Sequence, residues 1–144
     1  MLDLVLFVLT LLAALGSGLI AGVFFAFSTF VMQAPARRPS PEGMAAMQSI
    51  NVVVLNRWFL STFLGTAAIC VAVPVLVFLR WLPPGAMFQL AGSLFYLVGA
   101  LLVTIICNVP RNDALAAVTP NEPHAPSLWR KYVSEWPAWN HART

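Results

Sequence analysis

The sequence predicts an all-α membrane protein, a small helical bundle with three transmembrane helices, and three observations carry that reading. Hydrophobic residues make up 60% of the 144 residues and charged residues only 9%, at a mean hydropathy of +0.82. A soluble domain carries roughly a quarter charged residues. So few charges cannot cover a water-facing surface, and lipid must solvate much of the chain. Three apolar runs, about 4–32, 58–79 and 86–107, are each long enough to cross a hydrocarbon core of ~30 Å at a rise of ~1.5 Å per residue. The remainder, 108–144, is polar and holds no further apolar run, so the 144 residues read as a single membrane domain.

The first span carries no charge from Leu4 to Gln33. A cleaved leader has a much shorter apolar region and a positive start. Met1-Leu2-Asp3 lacks that start, and the span is expected to be retained. Ala14, Gly18, Gly22 and Ala26 recur at four-residue spacing as a smooth helix-packing stripe. Whether its partner lies in this chain or in a second copy stays open.

A polar break is expected from Gln33 to Pro41, around Pro35, Arg37, Arg38 and Pro39. Ser40-Pro41 then reads as a helix start, with Ser40 as N-cap and Pro41 at the first helical position. Residues 43–57 mix Met44, Met47, Ile50 and Val54 with Gln48, Asn51, Asn56 and Arg57. That pattern fits either an interfacial helix or the protruding start of the second span.

Trp58 and the pair Arg80-Trp81 bracket the second span as interfacial anchors. Pro74 inside it removes one backbone hydrogen bond and predicts a kink. Leu82-Pro83-Pro84-Gly85 is a tight turn, which makes the second and third spans an antiparallel hairpin. Gly92, Gly99 and Ala100 suit the third span to close packing. Pro110 is expected to end that helix and free carbonyls near Asn108. Beyond it, Asn121–Pro126 reads as a loop, and Ser127 as the cap of a short helix starting near Trp129.

Topology and charge together predict an orientation. The side holding the N-terminus and the 80–85 turn has Arg80 alone, whereas the other has Arg37, Arg38, Arg57, Arg111, Arg130, Lys131 and Arg143. That asymmetry predicts an outside N-terminus and a cytoplasmic C-terminal segment. The basic residues form no patch interleaved with aromatics, which argues against nucleic acid. Cys70 and Cys107 are too few for a disulfide framework. His124 and His141, the only histidines, form no ligand pair with a carboxylate, so no metal is expected.

The polar groups gather into a mouth on the cytoplasmic side, built from Asn51, the run Asn108–Asp113 and the run Trp136–Thr144. A helix end with interfacial anchors explains Pro110, Arg111 and the tryptophans. It explains less well the several asparagines at an apolar boundary, where each amide needs a partner.

Four segments carry a resemblance. Gly22-Val23-Phe24-Phe25-Ala26-Phe27-Ser28, Ala46-Met47-Gln48-Ser49-Ile50-Asn51, Asn108-Val109-Pro110-Arg111-Asn112 and Trp139-Asn140-His141-Ala142-Arg143-Thr144 occur in an order that resembles the anthrone oxygenase-like membrane proteins. That family is mostly bacterial and largely of unknown function, and is named for members that oxidise anthrones to anthraquinones. The resemblance implies a bacterial inner-membrane location and a four-helix pattern whose last helix begins at Trp139, whereas here the chain stops at Thr144. It also departs at Met32-Gln33-Ala34-Pro35, where the family tends to place proline directly after methionine.

The activity it implies is cofactor-independent oxidation of a membrane-soluble polycyclic phenol by dioxygen. Under that implication His141 is the base by its intrinsic pKa, with Asp113 second. Asn108, Arg111, Asn112 and Asn140 would hold the developing anion. Asn51, Trp139 and Arg143 complete the substrate site. Expected partners are membrane lipid, an apolar aromatic small molecule and a second copy of the chain. Two other readings stand beside the enzyme: a non-catalytic assembly subunit packing through the small-residue stripe, and a small-molecule carrier. The absence of charge inside the spans argues against ion coupling.

Overall fold

A computed structural model describes residues 1–144 and contains helices only, with no strand. Five helices build it: α1 (Leu2–Ala36), α2 (Ser40–Val53), α3 (Arg57–Leu79), α4 (Ala86–Ala116) and α5 (Ala125–Arg143). Three of them, α1, α3 and α4, are long and apolar enough to cross a membrane, and the chain is an integral membrane protein.

Both long spans run further than the sequence predicts, and the reason is the same. In α1 the backbone widens into a π-helical turn at Phe27–Val31 and then rewinds as Gln33–Ala36, with Pro35 inside that short α stretch. The break therefore falls at Arg37–Pro39 rather than from Gln33. In α4, residues Phe95–Leu102 and Thr104–Asn108 are π-helical, and a fresh α segment, Val109–Ala116, begins with Pro110 in its first turn. A proline there loses no intrahelical bond, because the first-turn N–H groups have no partner anyway. Pro110 thus restarts α4 instead of ending it. The side chain of Arg111 turns back, its Nη1 donating to the Cys107 carbonyl at 2.7 Å.

The mixed segment after the break is a separate helix, not the start of the second span. Ser40 is the first residue of α2 and makes no capping bond; Pro39 holds the N-cap position, with Pro41 in the first turn. A turn at Val54–Leu55 separates α2 from α3. The Asn56 Oδ1 atom caps α3 by accepting from the backbone N–H of Trp58 (3.0 Å) and Phe59 (3.1 Å). The turn at the other end places Trp81, Leu82 and Gly85 at positive φ, and Arg80 pairs with Asp3 at 2.5 Å. That ion pair ties the start of α1 to the α3–α4 turn, so both lie at one end of the molecule.

Helix α5 is longer than expected. It begins at Ala125, before Trp129, and continues through Pro137 to Arg143. The Ser127 hydroxyl donates to the His124 carbonyl at 2.7 Å and leaves the first-turn N–H groups uncapped. Trp129, Tyr132 and Trp136 recur on one face and stack on each other with centroids 5.8 and 6.0 Å apart. They close over Met32, Met44, Met47 and Leu115, forming a core layer at the polar end. Within the spans, Ile20 and Phe24 of α1 pack with Phe63, Ala67, Cys70, Tyr96 and Ala100, and Leu6 with Val73, Val77 and Ala86.

Close approach of α1 to α3 occurs at Gly16, where an added Cβ would run into the Thr66 side chain. The small-residue stripe lies on the other side of α1, because Gly16 is two residues from both Ala14 and Gly18. Ala14, Gly18 and Gly22 are exposed, and only Ala26 is half-buried.

Candidate functional site

The face of α5 that carries Trp129, Tyr132 and Trp136 continues through Asn140 to Arg143, at steps of three or four residues. Its aromatic part makes the core layer, and its polar part enters the bundle between α1 and α4. Asn140 is fully buried. Its Nδ2 donates to the Phe24 carbonyl at 2.8 Å and to the Ser28 hydroxyl at 2.7 Å. Its Oδ1 accepts from Arg143, from Nε at 3.1 Å and Nη2 at 2.9 Å. Every polar atom of this amide is therefore engaged, as burial in an apolar setting requires.

Arg143 is the unusual group. Its Nη1 donates to the Thr104 hydroxyl at 2.8 Å, and its guanidinium carbon lies 4.0 Å from the Phe24 ring centroid and 5.3 Å from that of Trp136. It forms no ion pair; the acidic partners in the molecule serve Arg38, Arg80, Arg111, His124 and Lys131. Burial presses its pKa down to about 10, with the neighbouring Tyr132 opposing the shift, so it remains a cation at neutral pH. Two aromatic faces, one amide and one hydroxyl surround this half-buried guanidinium in place of a carboxylate. Nη1 and Nη2 each keep a second N–H for an incoming acceptor.

That cation borders a cavity of about 290 Å³ between α1 and α4. Phe24, Phe95 and Tyr96 supply its aromatic wall, and Gly92 and Gly99 leave room between the α4 side chains. The volume lies at the lower end of the ~300–1,000 Å³ usual for ligand pockets, which suits one small planar molecule. Ser17 and Gly92 also border a neighbouring cavity of about 270 Å³, where Gln89 and Ser93 are among the lining residues.

The sequence-predicted site residues divide into three groups. Arg143 borders the cavity, and Asn140 is bonded to it from the packed interior. Asn51, Asn108 and Asn112 instead surround the aromatic layer of α5. The Asn112 Oδ1 accepts from the Tyr132 hydroxyl and from Trp136 Nε1, both at 2.8 Å. Asn108 is buried, donates weakly to the Trp136 carbonyl at 3.4 Å, and leaves its Oδ1 without a partner, as does Asn51 with its Nδ2. Burial raises the Tyr132 hydroxyl pKa well above the usual range, so it acts here as a fixed donor.

The third group lies outside the cavity. Arg111 is held by Glu135, at 3.1 Å from Nη2 and 3.2 Å from Nε, with Trp139 beside it at 5.7 Å. Asp113 and His141 are exposed, and neither borders the cavity beside Arg143. No three His, Cys, Asp or Glu side chains converge to hold a metal, and Cys70 and Cys107 are free.

Phe24, Ser28, Tyr96 and Thr104 are the site residues that residue-by-residue reading of the sequence missed. Spacing does contain a signal for two pairs: Phe24 and Ser28, and Thr104 and Asn108, are four residues apart on one helix face.

A family model described as anthrone oxygenase matches residues 55–144, which covers α3, α4 and α5 with Thr104, Asn140 and Arg143. No curated protein and no solved structure matches the chain.

Proposed function

The chain belongs to the anthrone oxygenase family, and from that premise we propose that it oxidises a planar phenolic compound dissolved in the bilayer, using dioxygen, with the substrate anion held on Arg143. The observation that carries the reading is a half-buried guanidinium with no carboxylate partner, set beside an aromatic-walled cavity. Against an apolar wall, such a cation stabilises an anion more than it would in bulk solvent.

The chemistry then asks little of the protein. An anthrone-type substrate carries a ring CH₂ opposite a carbonyl, and loss of one CH₂ proton to water gives an aryloxide-like anion. Its oxygen is held by the free N–H groups of Arg143 while the rings lie against Phe24 and Tyr96. The anion is itself the reductant: its ring carbon forms a C–O bond with dioxygen, and the peroxide takes up a proton. Loss of the second ring proton with cleavage of the O–O bond leaves a carbonyl, and the hydroxide expelled combines with that proton. One substrate and one dioxygen give one quinone and one water. Fixed donors on the anion favour its formation, so the proton can pass to solvent without the exposed His141 or Asp113.

Oxygen uptake and quinone absorbance with anthrone, on the purified full chain in detergent, test the reading. Arg143→Gln is expected to lower kcat/KM by about 10²-fold, the usual cost of losing one anion-stabilising donor, while His141→Ala keeps most of the activity. No dioxygen consumption above a detergent blank, or an Arg143→Gln variant as fast as wild type, overturns it.

One observation favours a second reading, a non-catalytic assembly subunit. Ala14, Gly18 and Gly22 are exposed along α1, and a side chain added at Gly18 or Gly22 would meet nothing within 4 Å. Cross-linking in membranes that detects a dimer in wild type and loses it in Gly18→Leu would support this role. A chain monomeric in both removes it.

A further inference from the structure

A second cavity, of about 280 Å³, lies at the polar end of the molecule, away from the site beside Arg143. It opens between the end of α1, the start of α2 and the outer side of α5. Arg38, Ser40, Arg130 and Ser134 bring polar groups to it, and Trp129 and Val133 form its apolar back. Arg130 forms no ion pair. Arg38 has only a long contact to Glu42, 3.7 Å between largely exposed side chains, and Glu42 is the acidic residue nearest to it in sequence. A pair of that kind is worth little and yields easily to a better anion. Neither Ser40 nor Ser134 donates its hydroxyl within the protein. Two guanidinium groups and two hydroxyls around one hollow are the donor set that a phosphate takes, with arginine binding it in a forked geometry.

Position selects the source of that phosphate. Ala36 borders the cavity, and Arg37 and Arg38 directly after it are the first charges beyond the apolar run of α1, so the cavity sits on the head-group side of the level where that helix leaves the hydrocarbon. Phe30, one and a half turns below, is exposed, so an acyl chain has an apolar helix face to follow into the bilayer. We propose that this cavity binds the phosphate of an anionic phospholipid, with Arg38 and Arg130 on the phosphate oxygens and Ser40 and Ser134 donating to them. A lipid held there would bridge α1, α2 and α5, the elements that enclose Trp129. The interaction belongs to the class of basic pockets that hold anionic lipid head groups at one membrane face.

The test uses the purified full chain in a zwitterionic detergent, titrated with a short-chain phosphatidylglycerol, with the matching phosphatidylcholine and with inorganic phosphate. Native mass spectrometry counts bound lipid, and thermal unfolding reports stabilisation. Phosphatidylglycerol is expected to bind and raise the unfolding temperature, with at least tenfold weaker binding of phosphatidylcholine. Arg38→Gln with Arg130→Gln should lose that preference, and the matching lysine pair should restore part of it. Arg57→Gln should change nothing, because Arg57 stacks on Trp58 and does not border the cavity. Both glutamine positions are exposed, so folding is expected to survive, and circular dichroism verifies it. Equal binding of the two lipids, an unaltered preference in the double variant, or an equal loss in Arg57→Gln overturns the site. Inorganic phosphate that protects as well as the lipid overturns the lipid as its occupant.

Discussion

At the scale of the residue, Arg143 and Asn140 form one unit, and its two members predict different failures. Arg143 stays charged across the range from pH 6 to 9, because burial lowers its pKa only to about 10. The pH dependence of the rate in that range should therefore report ionisation of the bound substrate. The cation lowers that apparent pKa, so Arg143→Gln should move the rising limb of kcat towards higher pH as well as lowering it, and Arg143→Lys should keep most of the shift. A limb that stays in place would mean that the guanidinium does not touch the anion. Asn140→Ala acts on the scaffold instead. It removes the amide's bonds to Arg143 and to the Phe24 carbonyl, which keeps its helix bond from the Phe27 N–H, at a cost of about 1–3 kcal/mol. Thermal unfolding in detergent should fall clearly for Asn140→Ala and stay within about 0.5 kcal/mol for the exposed neighbour His141→Ala. Equal stability of the two variants would show that the amide is not structural.

At the scale of the element, glycines on two helices make opposite predictions. Gly99 of α4 borders the candidate site, and a Cβ there meets nothing within 4 Å. Gly99→Leu should fill the hollow, weaken substrate binding by tenfold or more and leave the unfolding temperature at least unchanged. Gly43 of α2 is pressed between the Pro35 carbonyl and the Trp129 ring, whose Cζ2 lies 2.8 Å from a built Cβ. Gly43→Ala should cost about 1–3 kcal/mol, as overpacking does, with a change in tryptophan fluorescence. A fully stable Gly43→Ala would mean that the α1–α2 corner is not packed on α5.

The same elements explain what could be read without coordinates. Hydropathy located all three spans, because a bilayer constrains composition over some twenty residues. The helix ends were less legible. Pro35 and Pro110 are ordinary stop signals, and here π-helical turns ahead of them let each helix restart. In the site, choosing His141 by intrinsic pKa ignored direction. Residues 140 and 143 share the buried face with Trp136, while 141 points about 100° away, at ~3.6 residues per turn. Asn108 and Asn112 read as amides in need of partners; Asn112 finds them in Tyr132 and Trp136, while the Asn108 Oδ1 has none. No sequence pattern names a bond across some twenty residues.

At the scale of the whole molecule, the two ends differ in charge as well as in structure. The Asp3–Arg80 pair neutralises the end that carries the N-terminus and the α3–α4 turn. The other end carries every remaining Arg and Lys: Arg37 and Arg38 after α1, Arg57 at the start of α3, Arg111 in the last turns of α4, and Arg130, Lys131 and Arg143 on α5. Excess Arg and Lys near span ends hold a segment on the cytoplasmic face during insertion, so the orientation this asymmetry predicts has α2 and α5 inside. The proposed lipid cavity would then face the anionic cytoplasmic leaflet, and the cavity beside Arg143 would lie nearer that leaflet than the other. A reporter that fluoresces only after folding in the cytoplasm should be bright when fused after Thr144. An enzyme active only after export should be silent at the same point and active when fused at the N-terminus. Replacing Arg37 and Arg38 with glutamine while adding three lysines at the α3–α4 turn should reduce or invert both signals. Inverted signals in the wild type would refute the orientation, and signals that ignore the charge exchange would show that something other than Arg and Lys sets it.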